Sequence, residues 1–287
     1  MKLQIMCAAI SGCMAGMTIV RHYQLADSVL SAIEKQEDQT LVTIADTESQ
    51  SAVKSTLAQI HDLAFWGEEG DGRKGFLGDG RYGAIVDPLD GTNAFVIGMI
   101  TSTVIIGIYD RKEKRLVGCV IGEPISGRIW SATDEDKTTL NESRFCHVWD
   151  GTLAKGNVFI DVSHGFKSRG RQILTDNGNT CLYSSLNKKC KIFLPGSNGL
   201  MQTLVANGRE WMAGSITTAV GFPGDVCGAF LVKQVGGILK AYARNDAGKL
   251  LETDPLDPLL VDALICANSA ETLAVLAEAF EAAAKVS

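Results

Sequence analysis

The sequence predicts a mixed α/β fold in which two helices precede an antiparallel sheet and strands then alternate with helices. Three observations carry this. Apolar residues recur at helical spacing through the first 35 residues and again over 43–60. Three β-rich runs, 101–109, 115–121 and 128–132, are separated by turn signals at 110–114 and 124–127, the pattern of an antiparallel meander. Beyond about residue 150 the texture changes to alternating strand and helix signals.

Taken in order, residues 2–35 read as a first helix, with Leu3, Cys7, Ile10, Met14, Met17 and Val20 as its buried face. Ile10-Ser11-Gly12-Cys13 has the form of a lipoprotein cleavage box. A single Lys precedes the apolar run, however, and the run continues past Cys13 to Val20, which favours the helix. No stretch free of charges and polar breaks reaches the ~20 apolar residues of a bilayer span. Residues 43–60 read as a second helix capped by Asp46 or Thr47, with Val53, Leu57 and Ile60 on one face. Residues 63–82, rich in glycine and charge, read as loop, and 82–86 as a short strand. In the second half, 158–162 and 191–194 read as strands. Residues 200–207 read as a helix capped by Ser197 or Asn198 and stopped by Gly208. Residues 226–235 read as a helix ending at Gly236-Gly237, and 272–284 as a final Ala-rich helix. The chain thus divides into 1–150, a helix pair plus antiparallel sheet, and 151–287, a smaller α/β half.

Composition excludes several function classes. At 287 residues, 46% hydrophobic and 21% charged, the chain is globular rather than disordered. A net charge of −6 with no basic block argues against binding a nucleic-acid polymer, and no membrane partner is expected. None of the eight Cys forms a C-x-x-C pair, so zinc has no spacing support. Reduced, mostly buried thiols in a cytoplasmic protein are expected.

The densest chemical signal is Asp87-Pro88-Leu89-Asp90-Gly91-Thr92, between an apolar strand and the apolar run 95–100. Two carboxylates three apart on a turn fixed by Pro88 can point to one side, and oxygen-only ligands suit a hard cation such as Mg²⁺. If 92–99 open a helix, the N–H groups of Gly91, Thr92 and Asn93 form an anion site beside that metal. By itself this run is equally readable as an ordinary capped turn. Three further pieces are weaker singly: Trp66-Gly67-Glu68-Glu69-Gly70 in a glycine-rich loop, Gly224-Asp225-Val226 at the start of an apolar helix, and Val42-Thr43-Ile44-Ala45-Asp46.

In this order and approximate spacing, together with Gly196-Ser197 before a helix and Asp225 before Gly236-Gly237, these pieces resemble the inositol monophosphatase family of lithium-sensitive, Mg²⁺-dependent phosphatases. The resemblance implies a layered αβαβα sandwich, commonly a homodimer, hydrolysing a small phosphorylated metabolite. It implies two or three Mg²⁺ ions per site. Glu68, Asp87 and the carbonyl of Leu89 would hold the first metal. Asp87, Asp90 and Asp225 would hold the second, and a third would sit near Glu68. Thr92, hydrogen-bonded to Asp46, would orient the attacking water, and the amides of Gly91 and Thr92 would bind phosphate. Gly196, Ser197, Asn198 and His164 are candidate substrate contacts.

The chain departs from the family at two points. The metal-binding acid before the last helix usually follows Trp, where Gly224 stands here. An acid that grips inositol hydroxyls is expected a few residues upstream, where Ser215-Ile216-Thr217-Thr218-Ala219 offers none. The hydrolytic core is therefore intact while the inositol-selecting wall is not evident. Cationic stretches at 163–171 and at Lys188, Lys189 and Lys191 suit a second phosphate. The substrate alternatives are accordingly a 3′(2′),5′-bisphosphate nucleotide, fructose 1,6-bisphosphate or histidinol phosphate. A non-catalytic metal-binding relative is the alternative from outside the class.

Overall fold

The computed structural model describes residues 2–26, 32–34, 41–70, 74–161, 173–246 and 248–287. It opens with helix α1 (Lys2–Leu25), a two-residue ladder of β1 (Ile33–Glu34) with β2 (Leu41–Val42), and helix α2 (Ile44–Leu57). Then come β3 (Ala64–Gly67), β4 (Tyr82–Asp90), the short helix α3 (Thr92–Val96), β5 (Thr103–Asp110), β6 (Arg115–Glu123), β7 (Arg128–Thr133), β8 (Thr139–Leu140) and β9 (Arg144–Phe145). The second half holds β10 (Asn157–Asp161), α4 (Asp176–Leu186), β11 (Lys191–Phe193), α5 (Asn198–Ala206), β12 (Met212–Thr217), α6 (Ala229–Gln234), β13 (Ile238–Arg244), β14 (Leu250–Thr253), β15 (Ala263–Ala267) and α7 (Ala270–Lys285).

These elements stack in five layers. Helices α1 and α2 cover one face of a seven-stranded sheet ordered β3 to β9, with Ile5, Cys13, Val20, Val53, Val86, Ile106 and Val120 in the core between them. Helices α5 and α6 lie between that sheet and a six-stranded sheet ordered β11-β10-β12-β15-β13-β14, around Trp130, Phe222, Phe230 and Cys266. Helices α4 and α7 close the far face over Val158, Ile216, Leu276 and Phe280. Both faces of the first sheet are covered, which is why β4 and β5 are buried at every position and read as near-continuous apolar runs. The layered α/β architecture is the one expected.

Several expectations need correction. The first helix ends at Leu25, and Ile33 and Glu34 pair with Val42 and Leu41 instead of extending it. Its buried face is Ile5, Met6, Ala9, Gly12, Cys13, Gly16, Met17 and Val20, whereas Leu3, Cys7 and Met14 are exposed. The helix is apolar all round, so periodicity alone could not choose the face. Close approach chose it: a Cβ on Gly16 would come within 2.8 Å of Ser49 Oγ and 3.0 Å of Val53 on α2. By length and composition α1 is apolar enough to cross a bilayer, with mean hydropathy 1.8, contrary to expectation; here it packs against α2 and the sheet.

The cap of α2 is Thr43, not Asp46 or Thr47; Asp46 stands three residues on and closes a capping box with it. The glycine-rich stretch after residue 62 contains a strand, β3, parallel to β4 and hydrogen-bonded also to Leu77. Ser197 caps α5, its hydroxyl accepting from the N–H of Leu200. The acid at 225 sits in a single 3₁₀ turn, Pro223–Val226, that precedes α6. All eight cysteines are free, five of them buried.

Candidate active site

The site begins where β4 runs out. Asp87 Oδ1 accepts the N–H of Leu89 at 3.1 Å, which folds the chain back across Pro88. The Pro88 carbonyl is held by Ser49 Oγ of α2 at 2.8 Å. Gly91 then takes φ +88°, and a Cβ there would lie 2.6 Å from the Gly196 carbonyl. Both the backbone angle and the close approach require glycine at this position. The turn from the first sheet is thereby pressed against the segment that opens α5.

Asp90 fastens the same contact. Its Oδ2 accepts from Thr103 Oγ1 at 2.7 Å, from the N–H of Gly199 at 2.8 Å and from the Ser197 hydroxyl, and its Oδ1 accepts the N–H of Asn198 at 3.0 Å. A carboxylate is thus placed at the N-terminus of α5, where free N–H groups favour negative charge. Asp225 arrives from the other side. Its Oδ2 accepts the N–H groups of Gly221 (2.6 Å) and Phe222 (2.9 Å), and its carbonyl accepts from Gln202 Nε2 (2.7 Å). At Gly224, where the family pattern has Trp, a Cβ would lie 2.9 Å from Asp87 Cβ and 2.8 Å from the Phe222 ring. Phe222 packs edge-on against Trp66 at 6.0 Å, which ties the Asp225 turn to β3.

Carboxylate oxygens of Asp87, Asp90 and Asp225 come within 4.8 Å of one another. Glu68 stands outside this cluster, but its charge reaches Asp87, Asp225 and Asp46. It is positioned by its own N–H on the Val86 carbonyl (3.0 Å) and by a two-way clamp between Gln50 of α2 and the backbone of Glu69. Asp46 and Thr92, 46 positions apart, meet: the Thr92 hydroxyl lies 2.9 Å from Asp46 Oδ1 and 3.1 Å from the Leu89 carbonyl. Asp46 Oδ2 accepts from the N–H (2.7 Å) and hydroxyl (2.6 Å) of Thr43.

Burial, then the charges of Glu68, Asp90 and Asp225, push the Asp87 carboxyl well above its usual range. Asp225 is raised well above it by burial and Glu68. Burial raises Asp90 too, against the hydrogen bonds that favour its charged form. Asp46 is pushed up to about 6 by burial, opposed by bonds from Thr43 and Thr92. Among the described residues no Lys or Arg pairs with the three clustered acids. Like charges held this close off water must be protonated or must share a cation. The donor set is entirely oxygen, with the Leu89 carbonyl alongside, and therefore fits a hard divalent ion.

The remaining sequence candidates fall as follows. Gly196, Ser197 and Asn198 form the rim next to Gly91. His164 and the cationic run 163–171 lie outside the described residues, and Lys188, Lys189 and Lys191 are exposed. Sequence reasoning quoted Thr43 only within the stretch 42–46 and missed Gln50 and Thr103; all three hold functional side chains in place. It also missed Asp161, whose Oδ2 accepts from Asn198 Nδ2 at 3.3 Å. An acid closing an apolar run in Asn157–Asp161 was the only local signal for it.

Comparisons with known proteins bear on the family and the fold. The chain is 28% identical over 178 residues to the chloroplastic bifunctional phosphatase IMPL2 of Arabidopsis thaliana, covering 61% of this chain and 48% of that one. It is 26% identical over 147 residues to a histidinol-phosphatase of Streptomyces coelicolor, covering 48% and 54%. The chain thus spans about half the length of these curated relatives. Its fold matches the crystal structure of the extragenic suppressor protein suhB from Bartonella henselae with a TM-score of 0.78, at 21% identity, over 97% of this chain and 98% of that one. The model of the inositol monophosphatase family matches residues 3–285, and the chain belongs to that family.

Proposed function

We propose that the protein is a Mg²⁺-dependent phosphomonoesterase that hydrolyses a small phosphorylated alcohol with a metal-activated water. The observation that carries this is the cluster of Asp87, Asp90 and Asp225, within 4.8 Å and without a cationic partner among the described residues, beside the Thr92–Asp46 pair. Asp87, Asp90, Asp225, Glu68 and the Leu89 carbonyl would hold two or three divalent ions. When bound, these ions would lower the pKa of a water and neutralise the phosphate dianion. Asp46 accepts the Thr92 hydroxyl proton, which leaves the Thr92 oxygen lone pairs free to receive a hydrogen bond from the attacking water. The N–H groups of Gly91 and Thr92 would take phosphate oxygens at the end of the left-handed turn.

The alcohol is inositol-like in our reading, and the likeness to a histidinol-phosphatase makes histidinol phosphate the first alternative. Phosphate release from a panel of phosphomonoesters should require Mg²⁺ and disappear in Asp87→Asn. Equal release by the wild type and by this variant would end the proposal.

We also propose a homodimer. Ile97, Ile100, Phe193 and Leu194 are 75%, 67%, 49% and 52% exposed, the first two after α3 and the last two at the end of β11, and the two segments are joined by the Thr101 hydroxyl donating to the Pro195 carbonyl at 2.8 Å. Light scattering should give twice the monomer mass for the wild type and a monomer for Ile100→Glu/Leu194→Glu.

A further inference from the structure

The Thr92–Gly91 turn touches Gly196 and Ser197, Asn198 follows, and the next side chain along that wall is Asp161 at the end of β10. Strand β10 pairs with β12 so that Asp161 lies opposite Thr217. Val158 and Ile160 face the core under α7, whereas Phe159 packs on the opposite side, against the core of the middle layer. Asp161 shares the Phe159 side by strand alternation, and so it faces the layer that holds α5 and the clustered acids.

Its two oxygens are not equivalent. Oδ2 accepts from Asn198 Nδ2, and the orientation of that amide is set by Thr217 Oγ1, which donates to Asn198 Oδ1 at 2.7 Å. Oδ1 has no hydrogen bond among the described residues, although burial pushes this carboxyl up to about 7. The carbonyl of Asp161 is fixed by the N–H (3.2 Å) and hydroxyl (2.6 Å) of Thr218. A half-buried carboxylate with a fixed backbone, one oriented oxygen and one open oxygen presents an acceptor without a donor among the described residues. Beside it, β12 ends at Thr217, Thr218 follows, and neither is an acid.

We infer that Asp161 is a specificity-determining residue, whose open oxygen accepts a hydrogen bond from a hydroxyl or ammonium group carried by the alcohol part of the substrate. This rests on the phosphatase reading above, with the ester at Gly91 and Thr92 and the alcohol directed along Ser197 and Asn198. A site that supplies a buried acceptor discriminates strongly against ligands unable to satisfy it.

The test compares wild type, Asp161→Asn and Asp161→Ala on three Mg²⁺-loaded reactions. p-Nitrophenyl phosphate carries no donor, myo-inositol 1-phosphate carries hydroxyls, and histidinol phosphate carries an ammonium. Asp161→Ala should lower kcat/KM for the donor-bearing substrate that the wild type prefers by about tenfold or more, mainly through KM, and leave p-nitrophenyl phosphate within about twofold. Asp161→Asn, which keeps a carbonyl acceptor, should retain most activity if the donor is a hydroxyl and lose it if the donor is an ammonium. An equal fall on all three substrates would show that Asp161 acts only by positioning Asn198, and would overturn the inference. So would no change, or a wild type with no preference for either donor-bearing substrate. If the wild type hydrolyses none of them, the phosphatase reading fails by itself. Calorimetric binding of the same three compounds with Ca²⁺ in place of Mg²⁺ then decides the inference: selective weakening in Asp161→Ala supports it, and unchanged affinity overturns it.

Discussion

Asp90 and Asp161 both meet the N-terminus of α5, and they are held in opposite ways. Asp90 accepts four hydrogen bonds, two of them from backbone N–H groups of the helix it faces. Asp161 accepts one side-chain bond, at 3.3 Å. The first acid is part of how the two sheets are joined, so its position is fixed before any ligand arrives. The second is placed by the strand pairing but left open at one oxygen. Asp90 Oδ1 accepts only one of the four bonds and so keeps a lone pair for a metal common to all substrates, whereas the open oxygen of Asp161 can distinguish between substrates.

The largest expected effect breaks the Asp90 side of this comparison. Asp90→Asn should lower kcat roughly a thousandfold with every substrate, since it removes a metal ligand from the reaction common to all of them. It should also lower stability by about 2–3 kcal/mol, because an amide NH₂ is turned toward backbone and hydroxyl donors. Denaturant melts and assays of the same preparation measure both. Near wild-type turnover, or an effect confined to one substrate, would remove Asp90 from the metal set.

Next in size is Thr92→Ala, expected to reduce kcat about a hundredfold with KM little changed, because water orientation matters in the transition state. Metal affinity, read by calorimetry, should persist. A change in KM alone would assign Thr92 to ground-state binding and blur the distinction between residues common to all substrates and residues that select among them. Gly91→Ala tests the joint between the turn after β4 and the segment that opens α5. A side chain at φ +88° and 2.6 Å from the Gly196 carbonyl should cost about 2 kcal/mol or more. An unchanged melting temperature would mean that this turn and the α5 segment can separate freely.

How much of this was legible in the sequence follows from where the information lies. Asp87-Pro88-Leu89-Asp90-Gly91-Thr92 was readable because its turn chemistry and its ligand chemistry occupy the same six residues. Asp225, Glu68 and Asp46 were readable only as members of an ordered set, since each alone is an ordinary cap or surface acid. The meander was readable from its evenly spaced turns. Strand β3 was hidden by its glycine-rich surroundings, and the face of α1 by uniform apolarity. Asp161 carried no motif at all. Its meaning comes from a strand pairing across 56 residues, Asp161 to Thr217, which no local pattern records.

The smallest expected effect sharpens the comparison without any substrate. Ordinary carboxylates titrate near 3.9 in the unfolded chain. In the folded chain burial raises Asp46 to about 6 and Asp161 to about 7. Between roughly pH 4 and 7 the native state therefore retains protons that the unfolded state has released, so stability contributed by these groups is present at low pH and lost as pH rises. Asp110 and Glu281, held low by Arg81 and by Tyr242 and Lys240 respectively, contribute with the opposite sign, their share of stability being lost as pH falls. With EDTA present, the melting temperature should fall from pH 5 to pH 8, and Mg²⁺ should offset the loss at pH 8. Asp161→Asn should recover roughly 3 °C at pH 8, about 1 kcal/mol for a chain of this size, and make the slope shallower. Asp46→Asn should not match it, because it also weakens the Thr43 cap of α2. Identical slopes in the wild type and Asp161→Asn would mean that Asp161 is hydrated in solution, leaving Asp46 and the clustered acids to account for the whole trend.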